Sequence, residues 1–210
     1  MSFSEAEAEA RQREMAARVV CEDRPGAPAT VAGIDVLYAG GRARAGAVLL
    51  RLPDLALLDQ AEAEEDAPEP YVPGLFSFRE APAALAALGR LRARPDVILC
   101  DGHGRAHPRR FGLACHVGVE TDTPTVGVAK SILCGAHGPL GDERGATAPL
   151  IDAGETIGLA LRTQTGVKPV YVSVGHAVSL ATAARLVLAC APTYRLPETT
   201  RLADRLSRAG

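Results

Sequence analysis

Short apolar runs along the chain predict a series of β-strands. The run 97–100 (V-I-L-C) is largely β-branched, as in strands that are covered on both faces, and the run 125–129 repeats this pattern. Three earlier runs, 30–38, 43–50 and 55–62, are separated by turn signals and predict an antiparallel meander. Strand structure is therefore expected in both the first and the middle part of the chain.

Helical patterns lie before, between and after these strands. Residues 4–20 begin with Ser4 as a candidate N-cap, and acidic residues follow where they favour the positive end of the helix dipole. A second helix is predicted from about Glu80, with Pro82 in its first turn, where a missing N–H does no harm. Further helices are predicted at 111–119, 179–190 and 201–208, and further strands at 155–162 and 169–173.

The order of these elements predicts the architecture. Strands come first and are followed by alternating helices and strands, which is typical of a mixed β-sheet flanked by helices, an α/β fold. Residues 135–147 are rich in glycine and predict an exposed excursion without regular structure. With 210 residues, 47% of them hydrophobic, the chain fits a single domain 1–210, on which the helix and connector 1–28 pack.

Charge and cysteine content narrow the function classes only slightly. The formal net charge of −2 neither predicts nor excludes a nucleic-acid partner, because local basic patches matter more than the sum. The five cysteines are odd in number and form no C-x-x-C pair, which argues against a disulfide framework. The start of the chain is acidic and no stretch is apolar enough to span a membrane, so we expect a cytoplasmic protein without a membrane partner.

The stretch 95–110 carries the densest candidate chemistry. Asp101 directly follows a predicted buried strand, and Gly102 and Gly104 allow the backbone to turn sharply or to approach a ligand. Two histidines and three arginines follow within nine residues, where they place many nitrogen donors beside one carboxylate. An Asp-Gly pair after a strand is also a common turn, but a simple turn does not require this density of cations.

Two further acids are candidates for the same site. Asp35 lies inside an apolar strand, where a buried carboxylate needs a cation, a metal or several donors. Glu80 lies at a predicted helix start, where an acid is often no more than a partner of the helix dipole. If the strand of Asp101 runs parallel beside that of Asp35, all three acids can meet. Three carboxylates suit Mg²⁺ or Mn²⁺ and the hydrolysis of a phosphodiester.

Other site types are weaker alternatives. His103 and His107 have the spacing of some zinc sites, but the glutamate of that motif is missing and Gly104 argues against the helix that it needs. The stretch 127–131 lacks the pattern of a P-loop, and Cys115 fits a buried structural thiol better than a nucleophile.

Six ordered motifs make the chain resemble a known family. They are V-A-G-I-D-V (31–36), P-Y-V-P-G-L-F-S-F-R-E (70–80), D-G-H-G-R-A-H-P-R-R (101–110), P-T-V-G-V-A-K (124–130), V-G-H (174–176) and Y-R-L-P-E-T-T-R (194–201). The chain is similar to endonuclease V, a DNA repair nuclease that acts at deaminated adenine. Two positions depart from the family pattern, since Ser131 replaces a second basic residue and Val72 replaces a common isoleucine.

The resemblance implies a ribonuclease H-like fold and a role for each motif. Asp35, Glu80 and Asp101 would bind catalytic Mg²⁺, with Mn²⁺ as a substitute, and Lys130 and His176 would assist at the scissile phosphate. Residues that would bind substrate are Pro70, Tyr71, Val72 and Pro73 of the strand-separating wedge, Gly74, Leu75, Phe76, Gly102 and His107 of a base pocket, and Arg109.

The implied activity is hydrolysis of the second phosphodiester bond 3′ to deoxyinosine, which leaves 3′-hydroxyl and 5′-phosphate ends. The expected partner is damaged DNA, double- or single-stranded, and the expected state is a monomer. Two alternatives remain open: a related nuclease that prefers inosine-containing RNA or branched DNA, and a nucleic-acid-binding module without catalytic activity.

Overall fold

A mixed β-sheet organises the computed structural model, which describes residues 4–24, 26–39, 41–66, 72 and 74–209. Within these residues the sheet has nine strands in the order β3-β2-β1-β4-β5-β9-β8-β7-β6. The strands are β1 (Thr30–Ala39), β2 (Arg42–Arg51), β3 (Leu57–Asp66), β4 (Val97–Asp101), β5 (Thr125–Ala129), β6 (Ala136–His137), β7 (Thr147–Asp152), β8 (Glu155–Leu161) and β9 (Val170–His176). The helices are α1 (Glu5–Ala16), α2 (Phe76–Gly89), α3 (Leu113–Thr121), α4 (Leu180–Cys190) and α5 (Glu198–Ser207).

The topology is that of a ribonuclease H-like fold, as the motifs implied. β1, β2 and β3 form the predicted antiparallel meander. β4 pairs in parallel with β1, and β5 pairs in parallel with β4, so the carboxyl ends of these three strands lie at the same end of the sheet. β9 returns antiparallel beside β5. The chain therefore brings the residues that follow β4 and β5 to the same place.

Apolar cores on both faces of the sheet hold the helices. α2 and α3 cover one face through small side chains such as Ala84 and Ala87, which are fully buried. α4 and α5 cover the other face, where Val187 and Leu202 pack against strand residues. Because these contacts rely on alanine and valine instead of aromatic rings, helix and sheet approach closely.

Two glycines bring α5 unusually near to the sheet. A Cβ atom at Gly33 would lie 2.3 Å from the carbonyl oxygen of Thr199, and one at Gly46 would lie 2.5 Å from that of Ala203. No side chain larger than hydrogen fits at either position while α5 keeps its place. The close approach delivers the end of α5 to the carboxyl end of β1.

Three local predictions differ from the structure. α2 begins at Phe76, so Pro82 lies inside the helix and not in its first turn. The excursion 135–147 contains the short strand β6 and leads into β7. Neither strand was predicted, because the glycine content of this segment favours irregular structure. β9 continues to His176, beyond the predicted end of that strand.

The state of the cysteines and the length of the helices can be compared with the sequence predictions. All five cysteines are free thiols. None of the helices in the described residues is long and apolar enough to cross a membrane.

Candidate active site

Two aspartates lie side by side at the carboxyl end of the parallel strands. Ile34 of β1 is opposite Cys100 of β4, so the next residues, Asp35 and Asp101, occupy adjacent positions on neighbouring strands. Neighbouring strands are about 4.8 Å apart, a separation at which two carboxylates repel each other strongly. The sequence prediction that these two strands run parallel, with their acids together, is confirmed.

A lysine accompanies Asp101. Asp101 pairs with Val128 of β5, and Lys130 follows the end of that strand. Lys130 Nζ lies 2.5 Å from Asp101 Oδ2. That oxygen has no regular hydrogen bond within the described chain, so the contact is an ion pair. Burial by itself lowers the pKa of Lys130, but Asp101, together with the charges of Asp35 and Asp204, outweighs burial and raises the pKa, which keeps the ammonium charged at neutral pH.

Glu80 approaches the aspartates from α2. Its side chain is buried, and burial together with the charges of Asp35 and Asp101 raises its pKa well above the usual range. Burial and the charge of Asp101 likewise raise the pKa of Asp35 to about 6. The three acids therefore act on one another, as expected for a cluster that stores electrostatic repulsion.

The end of α5 adds two residues that sequence reasoning missed. Ser207 is fully buried and its hydroxyl donates to Asp35 Oδ2 over 2.9 Å. Asp204, one helical turn earlier, contributes to the raised pKa values of Asp35 and Lys130. An acid and a hydroxyl three residues apart on the last helix were the available signal, but only the packing of α5 places them here.

The donor chemistry of the cluster fits a divalent cation, although the ligands are not gathered. Within the described residues, no three His, Cys, Asp or Glu side chains are arranged to hold a metal ion as they stand. Asp101 forms an ion pair with Lys130, and the charges of Asp35 and Asp101 raise the pKa of Glu80. Carboxylate oxygens with raised pKa values are nevertheless the donors that a hard dication prefers, because it would relieve their repulsion.

A cavity of about 310 Å³ opens next to Glu80 and Asp101. Its walls include four predicted substrate-binding residues, namely Gly74, Phe76, Gly102 and His107. They also include five residues that were not predicted to bind substrate, namely Ser77, His103, Gly112, Leu113 and Leu133. Gly74 and Gly102 have φ angles of +81° and +151°, so the tight backbone around the cavity favours glycine at both positions. Leu75, also predicted for this pocket, is buried at the start of α2.

Two polar side chains define the chemistry of the cavity wall. Ser77 is 3% exposed and its Oγ has no hydrogen-bond partner within the described residues. Burial, aided by the charge of Arg109, lowers the pKa of His107 to about 4, so the ring is neutral at pH 7. His107 Nδ1 accepts from the backbone N–H of Arg109 over 3.1 Å, which leaves the ring proton on Nε2. The cavity therefore offers neutral hydrogen-bonding groups beside a charged cluster.

Comparison with known proteins agrees with the motifs. The family model described as Endonuclease V matches residues 13–205. The chain belongs to the endonuclease V family. It is 55% identical over 205 residues to an endonuclease V from Roseiflexus, covering 98% of this chain and 92% of that protein. The chain is therefore a member of a family of DNA endonucleases.

Two solved endonuclease V structures share the whole fold. A crystal structure from Streptomyces avermitilis has a TM-score of 0.95 at 47% identity, and the match covers 99% of this chain and 92% of that chain. Endonuclease V from Ciona intestinalis, in complex with a 24mer DNA that contains an inosine followed by a ribo-adenosine, has a TM-score of 0.83 at 29% identity and covers 97% and 95%.

The wedge motif of the family lies mostly outside the described residues. Pro70, Tyr71 and Pro73 belong to the part that the structure does not describe, so their predicted role stays a prediction. The carbonyl of Val72 accepts from the N–H of Leu75 over 3.0 Å, and this turn leads into α2.

The arginines of the motif 101–110 form ion pairs and hydrogen bonds with other residues of the protein. Arg105 and Arg110 both form ion pairs with Glu155, and Arg110 also contacts Asp152. Arg109 is 19% exposed and donates to Glu9, Gln12 and the carbonyl of Gly74. These bonds hold the guanidinium next to the cavity residue Gly74, and the substrate contact of Arg109 stays a prediction.

His176 lies at the opposite end of the sheet from the carboxylates. It pairs with Thr125, the first residue of β5, whereas Lys130 follows the last. Its Nε2 is 3.5 Å from Asp122 Oδ1, and its Nδ1 accepts from the N–H of Val20. The prediction of a role at the scissile phosphate is not supported, because antiparallel pairing carries His176 away from Asp101. A larger groove of about 980 Å³ at that same end is likewise remote from the cluster.

Proposed function

We propose that this family member is a DNA repair endonuclease that recognises deoxyinosine and hydrolyses the second phosphodiester bond 3′ to it. The products would carry 3′-hydroxyl and 5′-phosphate ends. The observation that carries the proposal is the cavity of about 310 Å³ whose wall includes Glu80 and Asp101. A base held in this cavity would place the adjoining backbone at the carboxylates.

The cavity has the properties that an expelled base requires. Its volume lies at the lower end of the range of about 300–1,000 Å³ that is typical of small-ligand sites. The unpartnered hydroxyl of Ser77 can exchange hydrogen bonds with the edge of a base, and neutral His107 lines the same wall. Expulsion of a base costs a few kcal/mol and costs least at a mispair, which favours a lesion over a normal pair. The inosine-containing DNA bound by the Ciona relative is consistent with this assignment.

The carboxylate cluster would supply the hydrolytic chemistry. Asp35, Glu80 and Asp101 are the residues that would hold Mg²⁺ or Mn²⁺. The chemistry that such an ion would supply is activation of a water molecule and neutralisation of charge on the phosphate. Ser207 orients Asp35 through its hydrogen bond, and Asp204 adds negative charge at the same point.

Lys130 would act on the phosphate itself. Its ammonium is charged and lies against Asp101, within reach of any phosphate that approaches the cluster. A fixed positive charge there stabilises the extra negative charge of the transition state. The carbonyl of Lys130 accepts from Arg195 over 2.8 Å, which anchors the backbone of the lysine.

A cleavage assay on end-labelled 24mer duplexes tests the proposal. Duplexes with one inosine, uracil, abasic site or normal base are incubated with Mg²⁺, Mn²⁺ or EDTA, and the products are mapped to single-nucleotide resolution. We expect a metal-dependent cut at the second phosphodiester bond 3′ to the inosine. Equal cleavage of the undamaged duplex, or cleavage that survives EDTA, would refute the proposal.

The same assay separates the alternative substrate class. The metal cluster could cut any phosphodiester, so inosine in RNA and in branched DNA is compared with inosine in duplex DNA under single-turnover conditions. Faster cleavage of the RNA would replace the proposed substrate. If the protein binds these substrates but cleaves none of them, the result would favour a nucleic-acid-binding module without catalytic activity.

A further inference from the structure

A glutamine on the N-terminal helix is buried next to the cavity. Gln12 of α1 has no exposed surface, although an amide side chain is costly to bury unless all of its groups are bonded. Its Nε2 donates to the carbonyls of Gly74 (2.9 Å) and Phe111 (2.7 Å), and its Oε1 accepts from Arg109 Nε. One side chain thus joins α1 to two loops that are 37 residues apart, since Gly74 and Phe111 lie 62 and 99 residues from Gln12.

The carbonyl of Gly74 is the point where this network meets the cavity. Besides Gln12, it accepts from Arg109 Nη2 over 2.8 Å. The guanidinium is itself fixed by Glu9 of α1, 3.0 Å away. A Cβ atom at Gly74 would lie 2.7 Å from Arg109 Nη2, so the loop and the guanidinium are in direct contact. Two donors on one carbonyl oxygen fix the orientation of the peptide that follows Gly74.

That peptide leads into the cavity wall. Gly74 lines the cavity, and α2 starts two residues later with Phe76 and Ser77 and reaches Glu80 one turn on. A rotation of the Gly74 peptide would therefore displace the first turn of α2. Gly74 itself has a φ of +81°, a conformation that glycine also leaves readily, so the hydrogen bonds supply the constraint.

Docking of α1 alone does not require a glutamine. Met15, one turn further along α1, is 2% exposed and packs against Phe111, Cys115 and Val119. An apolar side chain at position 12 would add to this contact without the desolvation of an amide. A fully bonded buried amide instead fixes a single geometry, because every alternative leaves a buried polar group unpaired.

We propose that Gln12, acting through Gly74 and Arg109, is a positioning residue that sets the shape of the base cavity and thereby the preference for inosine. The inference rests on the proposed function, because it takes the cavity as the site of the expelled base. Gln12 lies one position before the segment matched by the family model and outside the six sequence motifs.

The test compares two variants of α1. Gln12→Met keeps length and shape but removes every hydrogen bond of the amide, whereas Met15→Ala removes apolar packing and leaves the network intact. We expect Gln12→Met to lower the ratio of affinities for inosine and undamaged duplex about tenfold, since buried polar groups are left unpaired. The single-turnover rate at saturating DNA should change less than about twofold, because the carboxylates are untouched.

Two control measurements make the outcome decisive. Met15→Ala should lower the melting temperature at least as much as Gln12→Met while keeping the wild-type affinity ratio. Amide hydrogen exchange should rise in residues 74–80 for Gln12→Met only. If Gln12→Met does not fold, Arg109→Lys is the second variant. A lysine keeps the charge beside Glu9 but cannot also reach Gln12 and Gly74. We therefore expect the same loss of discrimination between inosine and undamaged duplex.

Each result bears on the inference separately from the proposed function. Failure of the wild type to cleave inosine DNA would reject the proposed function, whereas the hydrogen-exchange comparison would still decide whether Gln12 fixes the Gly74 loop. An unchanged affinity ratio and unchanged exchange in Gln12→Met would overturn the inference. The same loss of discrimination in Met15→Ala would also overturn it, because general stability would then explain the effect.

Discussion

At the two ends of the central parallel strands, the pKa values of aspartates are shifted in opposite directions. At the amino end, Asp96 accepts from the N–H groups of Ala29 and Thr30 and from the Thr30 hydroxyl, each over 2.9 Å. Burial there raises the pKa of Asp96, but these hydrogen bonds outweigh it and the pKa is lowered. At the carboxyl end, burial and like charge raise the pKa of Asp35 to about 6.

This difference marks the carboxyl end as the candidate functional end without reference to any relative. Acids that accept several hydrogen bonds stabilise the fold, whereas acids that are buried beside other acids cost free energy and are typical of functional sites. The histidines follow the same division. His176 contacts Asp122 at the amino end, and neutral His107 lines the cavity at the carboxyl end.

The largest expected effect is at Asp101. Asp101→Ala should lower single-turnover cleavage of inosine DNA by about 10³-fold or more, because it removes a carboxylate that would hold the metal. Binding of inosine DNA should remain within a few-fold of wild type, since the cavity keeps its other walls. Near-normal cleavage by a folded variant in Mg²⁺ would contradict the assignment of this end as catalytic.

Lys130 should give the next effect. Lys130→Met removes the charge that would face the phosphate, and we expect a decrease of about 10²-fold in the single-turnover rate at saturating DNA. Lys168→Met is the matched control, because Lys168 is exposed and only its backbone carbonyl makes a described hydrogen bond. Equal losses in the two variants would mean that general attraction of DNA, and not the site, is affected.

Asp35 should show that the carboxyl end costs stability. Its pKa is raised in the folded state, so the cost is present above pH 6 and disappears as pH falls below its ordinary value of 3.8. Asp35→Asn should therefore raise the free energy of unfolding by about 1–3 kcal/mol at pH 8 in EDTA, with no gain near pH 3.5. Urea unfolding at the two pH values measures this, and a destabilised variant at pH 8 would contradict the comparison.

The smallest effect is expected at the amino end and has the opposite sign. Asp96→Ala should lower the free energy of unfolding by about 1 kcal/mol, because three donors lose an exposed acceptor. Cleavage at 25 °C should stay at the wild-type rate. A large loss of activity would show that the amino end also contributes to function.

Local sequence patterns predicted the strands that carry the candidate site, but not the long-range contacts of its residues. The strands at 97–100 and 125–129 were evident because continuous apolar runs bounded by turns have few alternatives, and they place Asp101 and Lys130 correctly. The meander and the parallel pairing followed from element order, which placed Asp35.

The roles that local patterns did not predict depend on contacts between residues that are far apart in the sequence. The ion pairs of Arg105 and Arg110 could not be predicted because Glu155, their shared partner, is 50 and 45 residues away. His176 was misplaced because its role depends on the strand register of β9, which no local pattern encodes. Gln12 was overlooked because an isolated glutamine on an acidic helix predicts only exposure, and its burial depends on two distant carbonyls.

The hydrogen bond between Ser207 and Asp35 spans 172 residues and makes the order of synthesis relevant. Asp35 leaves the ribosome early, but the hydroxyl that orients it belongs to the last helix of the described chain. A nascent chain that already exposes β1, β4 and β5 still lacks this contact and the neighbouring Asp204. The candidate site is therefore complete only after residue 207 has been synthesised and α5 has packed against β1.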